Sequence, residues 1–369
     1  MEIEVTQEKL AKALNSVSRV AVGTRTMLPV LNNVLIRVDD GKVSLTTTNL
    51  DMAVVDFLPV SKSSNGVVTV PARLLAEFVS NLPRGEIVKI SVDDTKVTVS
   101  AGRYSSVLNG TLADDFPELP ELDEKKAVTF KIGIDEFKLG VGQVVIATSN
   151  DTTRPALTGV YFNTMNGGLA IAATDGYRMT EKRLIEKVES EVAAVVPAAT
   201  LQEVMRAVND EMEEVEISFN EDLVRFRLGE VEIISKLIDA SYPDYRKLIP
   251  EENKISIEMD RAELMRVTKL AALFARHVDG SIICETKEGG IFSIRSVANE
   301  FGENDSEIEV GEVEAAKSVL NARFLIDALN ALESDKIRFE FSGKVAPIVL
   351  KNLKDDRYTH VVMPLNRGL

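Results

Sequence analysis

VPARLLAEFV (70–79), VPAATLQEVM (196–205) and LNARFLIDAL (320–329) each run from a short strand pattern into an amphipathic helix pattern. These three segments begin 126 and then 124 residues apart. In the first two, proline stands where the helix begins, a position at which its missing N–H is not needed. This spacing predicts that one structural unit is repeated three times along the chain.

Two further landmarks have nearly the same period. The first is a strand end followed by an acid-bearing helix, found at VTQEKLAKALNSV (5–17), GIDEFKLGVGQVV (133–145) and DRAELMRVTKLAA (260–272). Its apolar anchors, Leu10, Phe137 and Leu264, are 127 residues apart in both steps. The second is a β-rich segment broken by a turn-forming residue, found at TTTNLDMAV (46–54), AATDGYRMT (172–180) and SVANEFGEN (296–304). Agreement among unrelated landmarks makes a chance repeat implausible.

The segments between the landmarks alternate apolar and polar residues, as in NVLIRVDDGKVSLTT (33–47), which predicts strands joined by tight turns. Acids and prolines cluster at 114–126 and 243–254 and indicate two domain boundaries. We therefore predict an α+β protein with three repeated domains, each with two helices packed on β-sheets. Their predicted bounds are 1–122, 127–248 and 254–369.

Composition argues against several classes of protein. One cysteine, Cys284, and two histidines, His277 and His360, leave little for metal binding or acid–base catalysis. The glycines of GVGQ (140–143) lie in a helical pattern, and no phosphate-binding loop motif is found. In ATDGYR (173–178) the aspartate and glycine favour a turn. We expect no cofactor, no metal, no catalysis and no membrane segment, and a cytoplasmic location.

The charge is unevenly distributed. The whole chain has a net charge of −15, which by itself argues against a nucleic-acid partner. The predicted helices nevertheless carry four more basic than acidic residues; they are 4–20, 71–85, 131–149, 197–208, 260–276 and 320–332. If these helices share a surface, that surface would bind a phosphate backbone weakly, without sequence preference and with strong salt dependence.

Six segments spread along the whole chain resemble the bacterial DNA polymerase III beta subunit: LPVLNNVLI (28–36), TTTNLDMAV (46–54), TRPALTGVYF (153–162), ATDGYRMT (173–180), SYPDYRKLIP (241–250) and VVMPLNRGL (361–369). The resemblance implies clamp-type domains, and a head-to-tail homodimer that closes into a ring with helices lining its hole. It also implies a non-enzymatic sliding clamp on duplex DNA, with the DNA polymerase III alpha subunit, the clamp loader and repair proteins as partners.

The resemblance implies a hydrophobic pocket that receives a short peptide from these partners. By position it would be formed by Arg154, Leu157, Thr174, Gly176, Tyr177, Arg178, Met179, Pro243, Lys247, Leu248, Val345, Val361, Val362, Met363, Pro364 and Leu365. Aliphatic residues and methionine would make an adaptable floor, with arginine and lysine at the rim. An alternative is that VVMP (361–364) is only the last core strand.

For DNA contact, the resemblance implies Arg25 and Arg73, and helix position adds Lys12. The chain departs from some relatives at Pro155 and Ala156, where they have two tyrosines, and at Ala198 and Ala199, where they have an Arg-Lys pair. It also ends in a longer tail, NRGL (366–369). A second hypothesis is a repeat scaffold that binds DNA-associated proteins without closing into a ring.

Overall fold

The computed structural model describes residues 1–21 and 28–365 and divides into two compact units. The first unit contains Met1–Asp135 and Ala199–Leu237, and the second contains Glu136–Ala198 and Ile238–Leu369. Within the described residues, every helix is too short or too polar to serve as a membrane span.

Six α-helices occur in the described part of the chain: α1 (Gln7–Ala21), α2 (Ala72–Ser80), α3 (Ile134–Val145), α4 (Ala198–Ala207), α5 (Arg261–Ala275) and α6 (Ala322–Ala331). Each overlaps one of the six predicted helical segments, so their number and order are confirmed. The predicted segments start one to three residues early, because those residues end the preceding strand.

The strands, in chain order, are β1 (Glu2–Thr6), β2 (Asn33–Asp39), β3 (Lys42–Thr48), β4 (Met52–Leu58), β5 (Lys62–Ser64), β6 (Gly66–Pro71), β7 (Ile87–Asp93), β8 (Lys96–Ala101), β9 (Tyr104–Asn109), β10 (Val128–Gly133), β11 (Gly159–Asn163), β12 (Leu169–Thr174), β13 (Arg178–Ile185), β14 (Ala193–Pro197), β15 (Glu214–Phe219), β16 (Leu223–Leu228), β17 (Val231–Lys236), β18 (Ile255–Asp260), β19 (Ser281–Lys287), β20 (Ile291–Ala298), β21 (Gly302–Glu309), β22 (Ala316–Asn321), β23 (Lys336–Phe341), β24 (Ile348–Asn352) and β25 (Tyr358–Val362).

One order of elements occurs three times: a strand, a helix, four strands, a helix and three strands. Repeat 1 runs from β1 to β9 and adds the short β5, repeat 2 runs from β10 to β17, and repeat 3 runs from β18 to β25. The predicted triplication and the α+β class are therefore confirmed.

The sheets cross from one repeat to the next. The first unit has a five-stranded sheet, β5-β1-β7-β8-β9, and an eight-stranded sheet, β10-β15-β16-β17-β4-β3-β2-β6. The second has an eight-stranded sheet, β14-β11-β12-β13-β25-β24-β23-β18, and a four-stranded sheet, β21-β20-β19-β22. Antiparallel pairing of β17 with β4 forms the first junction, and pairing of β13 with β25 forms the second. The two halves of repeat 2 therefore belong to different compact units.

Local sequence explains the ends of several elements. Asp40 and Gly41 join β2 to β3 with φ angles of 44° and 79°, a turn whose twist matches that of the strands. The Asp260 carboxylate accepts a hydrogen bond from the Glu263 N–H and caps α5, and Asn321 caps α6 by accepting from the Arg323 N–H. The third repeat thus uses asparagine where the other two end a strand with Pro71 and Pro197.

The core of the first unit lies beneath α1. Leu10, Leu14 and Val17 are fully buried on one face of this helix, which packs against α2 and against strands β3 and β4. On β4, the carboxyl group of Asp56 is also buried, and burial raises its pKa from 3.8 to about 6, with Lys12 opposing this shift and Glu230 adding to it. The folded unit therefore holds a proton on Asp56 more tightly than the unfolded chain does.

Because Asp56 is buried, we expect Asp56→Asn to increase the stability of the protein by an amount that depends on pH. The wild-type stability that depends on protonated Asp56 is present at low pH and is lost as the pH rises through about 6. At pH 8 the variant should have a free energy of unfolding higher by up to about 3 kcal/mol, and at pH 4 the two proteins should be nearly equal. Guanidinium unfolding at both pH values measures this, with the exposed Asp39→Asn as the control; an equal gain at both pH values would contradict it.

Candidate peptide-binding site

The predicted site begins with the turn between β12 and β13. The Asp175 Oδ1 atom accepts hydrogen bonds from the N–H groups of Tyr177 (2.8 Å) and Arg178 (3.0 Å). Thr174 Oγ1 donates to the Arg178 carbonyl (2.7 Å), and Gly176 has a φ angle of 90°. The turn predicted for ATDGYR is confirmed, including the capping aspartate and the left-handed glycine.

The end of β25 lies directly beside this turn. Val362 pairs with Arg178 and Val361 with Met179, and the Met363 N–H donates to the Tyr177 carbonyl at 2.8 Å. Val361 and Val362 are fully buried, so for these two residues the alternative of a last core strand is correct. Of this segment, the half-buried Met363, Pro364 and Leu365 are partly accessible, and they lie beyond Val362, where β25 ends.

The sequence suggested that Arg178 lies at an exposed rim, but the structure places it elsewhere. Its side chain is 9% exposed and contacts the carboxylates of Asp175 (3.0 Å) and Asp327 on α6 (2.6 Å). Its guanidinium also stacks over the ring of Phe324, 4.6 Å from the ring centre. The ring of the exposed Tyr177 is nearly parallel to that of Phe324, with 6.4 Å between the ring centres. Arg178 therefore fixes the turn against α6.

A cluster of tyrosines supports the site from below. Met179 and Val361 are buried with Tyr245, and Leu248 packs against the same cluster. The ring of Tyr242 lies parallel to that of Tyr161, at 4.8 Å, and its hydroxyl accepts a hydrogen bond from the Thr174 N–H. Burial raises the pKa of the Tyr242 hydroxyl, so this group stays neutral. Tyr161, Tyr242 and Tyr245 were not among the predicted site residues, although SYPDYRKLIP (241–250) contains two of them in one short connection.

The remaining predicted residues have mixed positions. Arg154 is half exposed, and a Cβ added at Gly176 would lie 3.4 Å from its Nη1, so these two residues are neighbours. Leu157 is buried in a short 3-10 helix. Lys247 is 81% exposed and pairs with Asp244. The structure also shows exposed positions for Pro243 and for Val345, which lies in the turn between β23 and β24.

Of the predicted DNA contacts, Arg25 lies outside the described residues. Arg73 and Lys12 are exposed on α2 and α1, but each already has a carboxylate partner, Glu77 at 2.7 Å and Glu211 at 3.5 Å. With the observed helix bounds, the six helices carry three more basic than acidic residues, and α1 and α5 supply this excess. The positive charge is therefore weak and concentrated on two helices.

Comparison with known proteins finds matches along the whole chain. Family models of the DNA polymerase III beta subunit match in order: the N-terminal domain at 1–120, the central domain at 131–244 and the C-terminal domain at 246–366. A beta sliding clamp from Staphylococcus aureus is 28% identical over 377 residues, covering 99% of both chains.

Solved structures of beta subunits are similar to this chain along its whole length. The DNA polymerase III subunit beta of Pseudomonas aeruginosa has a TM-score of 0.94 with 27% identity, and all of both chains is covered. The DNA polymerase sliding clamp of Bacillus subtilis has a TM-score of 0.93 with 28% identity and covers 100% of this chain and 99% of its own.

The buried contacts of Arg178 predict a large loss on truncation. Arg178→Ala should lower the free energy of unfolding by about 3 kcal/mol, because Asp175 would lose its cation and Asp327 would keep only the contact with Arg323 at 4.0 Å. Arg183→Ala is the matched control on the same strand; its side chain is 42% exposed and pairs with Glu186, so its loss should stay below about 1 kcal/mol. Denaturant unfolding of both variants decides this, and equal losses would show that the Arg178 contacts contribute little.

Proposed function

Because the chain belongs to the DNA polymerase III beta-subunit family, we propose that two copies close head to tail into a ring around duplex DNA. This DNA sliding clamp would act in the cytoplasm as a processivity factor. It would hold the replicative polymerase and other proteins on DNA and would catalyse no reaction itself.

The observation that carries ring closure is a pair of edge strands, β9 and β21, each of which has a partner on one side only within the described chain. At both junctions, the last strand of one repeat pairs with the third strand of the four-stranded half of the preceding repeat: β17 with β4, and β25 with β13. By the same rule, β9 of repeat 1 should pair with β21 of repeat 3, yet each ends its sheet in the described chain. Exposed edges with free N–H and C=O groups favour pairing with another chain. A second copy supplies the missing partner for each.

The register at the two junctions extends to this third one. Ile234 pairs with Ala53, and Val361 pairs with Met179 at the corresponding position. Transferring the same register pairs Val107 on β9 with Gly302 on β21 of the second copy. This places antiparallel strands side by side, as at the two junctions within the chain.

The side chains at these edges are suited to burial between copies. Tyr104 and Val107 on β9 are 40% and 59% exposed, and Phe301, beside β21, is 59% exposed. On the neighbouring α5, Leu270 and Leu273 are also exposed. Apolar side chains grouped along an unpaired edge indicate an interaction surface rather than ordinary solvent exposure.

The proposed DNA contact is weak and unspecific. Lys9 on α1 and Arg266 and Lys269 on α5 are exposed, and no carboxylate among the described residues lies within ion-pair distance of them. We propose that these residues, with Lys12, Arg73 and Arg25, face the phosphates. A few separated cations give a shallow attraction that salt screens, so the ring itself would keep the protein on DNA.

The proposed partner site lies at the second junction. The accessible surfaces of Tyr177, Leu248 and Met363 surround the turn, and the half-exposed Arg154 lies beside it. A methionine and aliphatic floor suits partners of differing sequence, since such side chains repack readily. The clamp-binding segments of the DNA polymerase III alpha subunit and of the clamp loader are the proposed ligands. The scaffold hypothesis shares this site and differs only in lacking ring closure.

Retention on circular DNA tests the ring. After loading by a clamp loader with ATP, wild-type protein should remain on circular DNA through gel filtration at high salt and leave the same DNA once it is linearised. Val107→Asp should lose retention on circles, because it places a charge in the proposed β9–β21 contact. Val67→Asp is the control; its side chain is similarly exposed but lies on β6. Equal salt-induced loss of wild-type protein from both DNA forms would show surface binding without a closed ring.

Alanine variants test the peptide site. Met363→Ala and Arg154→Ala should each weaken binding of a fluorescent peptide from the DNA polymerase III alpha subunit about tenfold, since a buried anchor residue at an interface contributes about 1.4 kcal/mol or more. Fluorescence anisotropy measures the affinity, and Met165→Ala, also exposed in the second unit, is the control. Unchanged affinity in both variants would place the peptide elsewhere.

Removing the chain from Val361 onward should instead unfold the sheet, because β25 would lose buried residues.

A further inference from the structure

The turn at the second junction has a close counterpart at the first. Thr48 Oγ1 donates to the Met52 carbonyl at 2.9 Å, as Thr174 does to Arg178. Asn49 Oδ1 accepts from the N–H groups of Asp51 and Met52, as Asp175 does from its own turn. The Lys236 N–H donates to the Asp51 carbonyl, matching the bond from Met363 to Tyr177. The same backbone frame therefore exists in both units.

The connection that follows each junction is also repeated. FPELPEL (116–122) corresponds to YPDYRKL (242–248), 126 residues later. In the second unit this connection fills the sheet face with aromatic rings, as Tyr242 stacks on Tyr161 and Tyr245 lies edge-on to both. The first unit has Leu35 at the place of Tyr161 in the strand register, with Phe116 and Leu119 at the places of Tyr242 and Tyr245.

The smaller residues leave an open groove. It has a volume of about 1000 Å³ and lies between the sheet face and the 113–124 connection. Neighbouring strands contribute the apolar side chains of Leu35, Val55, Phe57 and Ile234 and the polar side chains of Ser44, Thr46 and Glu232. We call it the first-junction groove. In the second unit, the equivalent volume is occupied by the protein's own tyrosines.

The polar side chains on the two sheet faces also differ, because those in the second unit have partners on the connection. In the second unit, Asn163 donates to the Tyr245 hydroxyl, and Glu181 accepts from Arg246. Residues of the connection therefore supply hydrogen-bond partners to the polar side chains on this sheet face. In the first-junction groove, Arg37 stands at the register position of Asn163, and it is exposed with no carboxylate within ion-pair distance among the described residues.

A second arginine of the groove, Arg225, also has a hydrogen-bond donor without a partner among the described residues. Arg225 lines the groove, its side chain is 11% exposed, and one of its guanidinium nitrogens binds Glu124 at 3.0 Å. Its Nε is buried, and no hydrogen-bond acceptor in the described chain lies within reach. Acidic Glu118 and Glu121 lie on the connection at the groove edge. The groove thus combines apolar side chains, two guanidinium groups and the carboxylate of Glu232, which pairs with Arg227, and it has further carboxylates at its edge.

We propose that the first-junction groove is a second peptide-docking site, which takes a short segment carrying an aromatic residue, one adjacent carboxylate and basic flanking residues. The aromatic ring would occupy the space that Tyr245 fills in the second unit. The carboxylate would pair with Arg37, a charge-assisted contact of the kind that fixes peptide orientation. The basic flanks match the outer carboxylates. This site is separate from the pocket at Met363 and does not require ring closure.

The test uses the full-length protein and a synthetic octapeptide that has one aromatic residue next to one aspartate, with lysines on both sides of this pair. A second octapeptide has asparagine in place of the aspartate. Fluorescence anisotropy at low salt gives both affinities for wild type, Arg37→Ala and Leu119→Tyr. Arg37 is exposed, so its loss should not affect folding, and Leu119→Tyr restores the ring found in the second unit. Thermal unfolding of each variant verifies the fold.

We expect the aspartate peptide to bind at least fivefold more tightly than the asparagine peptide, and Arg37→Ala to remove that difference. Leu119→Tyr should weaken both peptides tenfold or more, whereas Met363→Ala should leave both unchanged. Absence of binding by wild type, or undiminished binding by folded Leu119→Tyr, would overturn the proposal. Loss of binding in Met363→Ala alone would assign the octapeptide to the other pocket and would also overturn it. The partner-peptide experiment is unaffected by either result.

Discussion

Antiparallel pairing between strands of successive repeats is the constraint on which the rest of the molecule depends. A sheet edge exposes unpaired N–H and C=O groups, and each repeat would leave such edges if it folded alone. Pairing of β17 with β4 and of β13 with β25 satisfies two of these contacts inside the chain. In the proposed ring, the edges of β9 and β21 would pair with a second copy through the same kind of hydrogen bonding that unites the repeats.

The same pairing creates the candidate site. Because β25 pairs with β13, the chain leaves the sheet beside Tyr177, and the Met363 N–H has a carbonyl to bind. The connection between repeats must cross the same sheet face, and this places Leu248 near Met179. Backbone geometry thus fixes the location of a depression at each junction. Side chains decide whether it is filled, as by Tyr161 and Tyr245, or open.

Sequence reasoning predicted the features that depend on local chemistry and on period. The three repeats, the six helices and the Asp175 turn follow from periodicity and from turn-forming residues. Strand pairing between repeats could not be predicted, because register depends on contacts far apart in sequence. For the same reason Arg178 was placed at the rim: its partner Asp327 lies 149 residues away on α6.

VVMP (361–364) shows a further limit. Two valines before a methionine and proline are compatible with a pocket wall and with a core strand, and periodicity cannot separate these interpretations. The structure divides the motif, with Val361 and Val362 in the sheet and Met363 beyond its end. One short segment therefore serves both the core and the accessible surface, which a residue-by-residue assignment from sequence does not resolve.

The cations of the chain differ in how easily they can exchange partners. Arg178 is buried between two carboxylates and an aromatic ring. Moving its guanidinium away would leave the largely buried Asp175 carboxylate without its cation, so Arg178 has a structural role. Lys12 and Glu211 are 65% and 85% exposed, and water and salt compete with their contact at little cost. In the proposed DNA contact, a phosphate would replace Glu211 beside Lys12. Such a contact would form and break along the duplex without changing the fold, because both side chains are exposed.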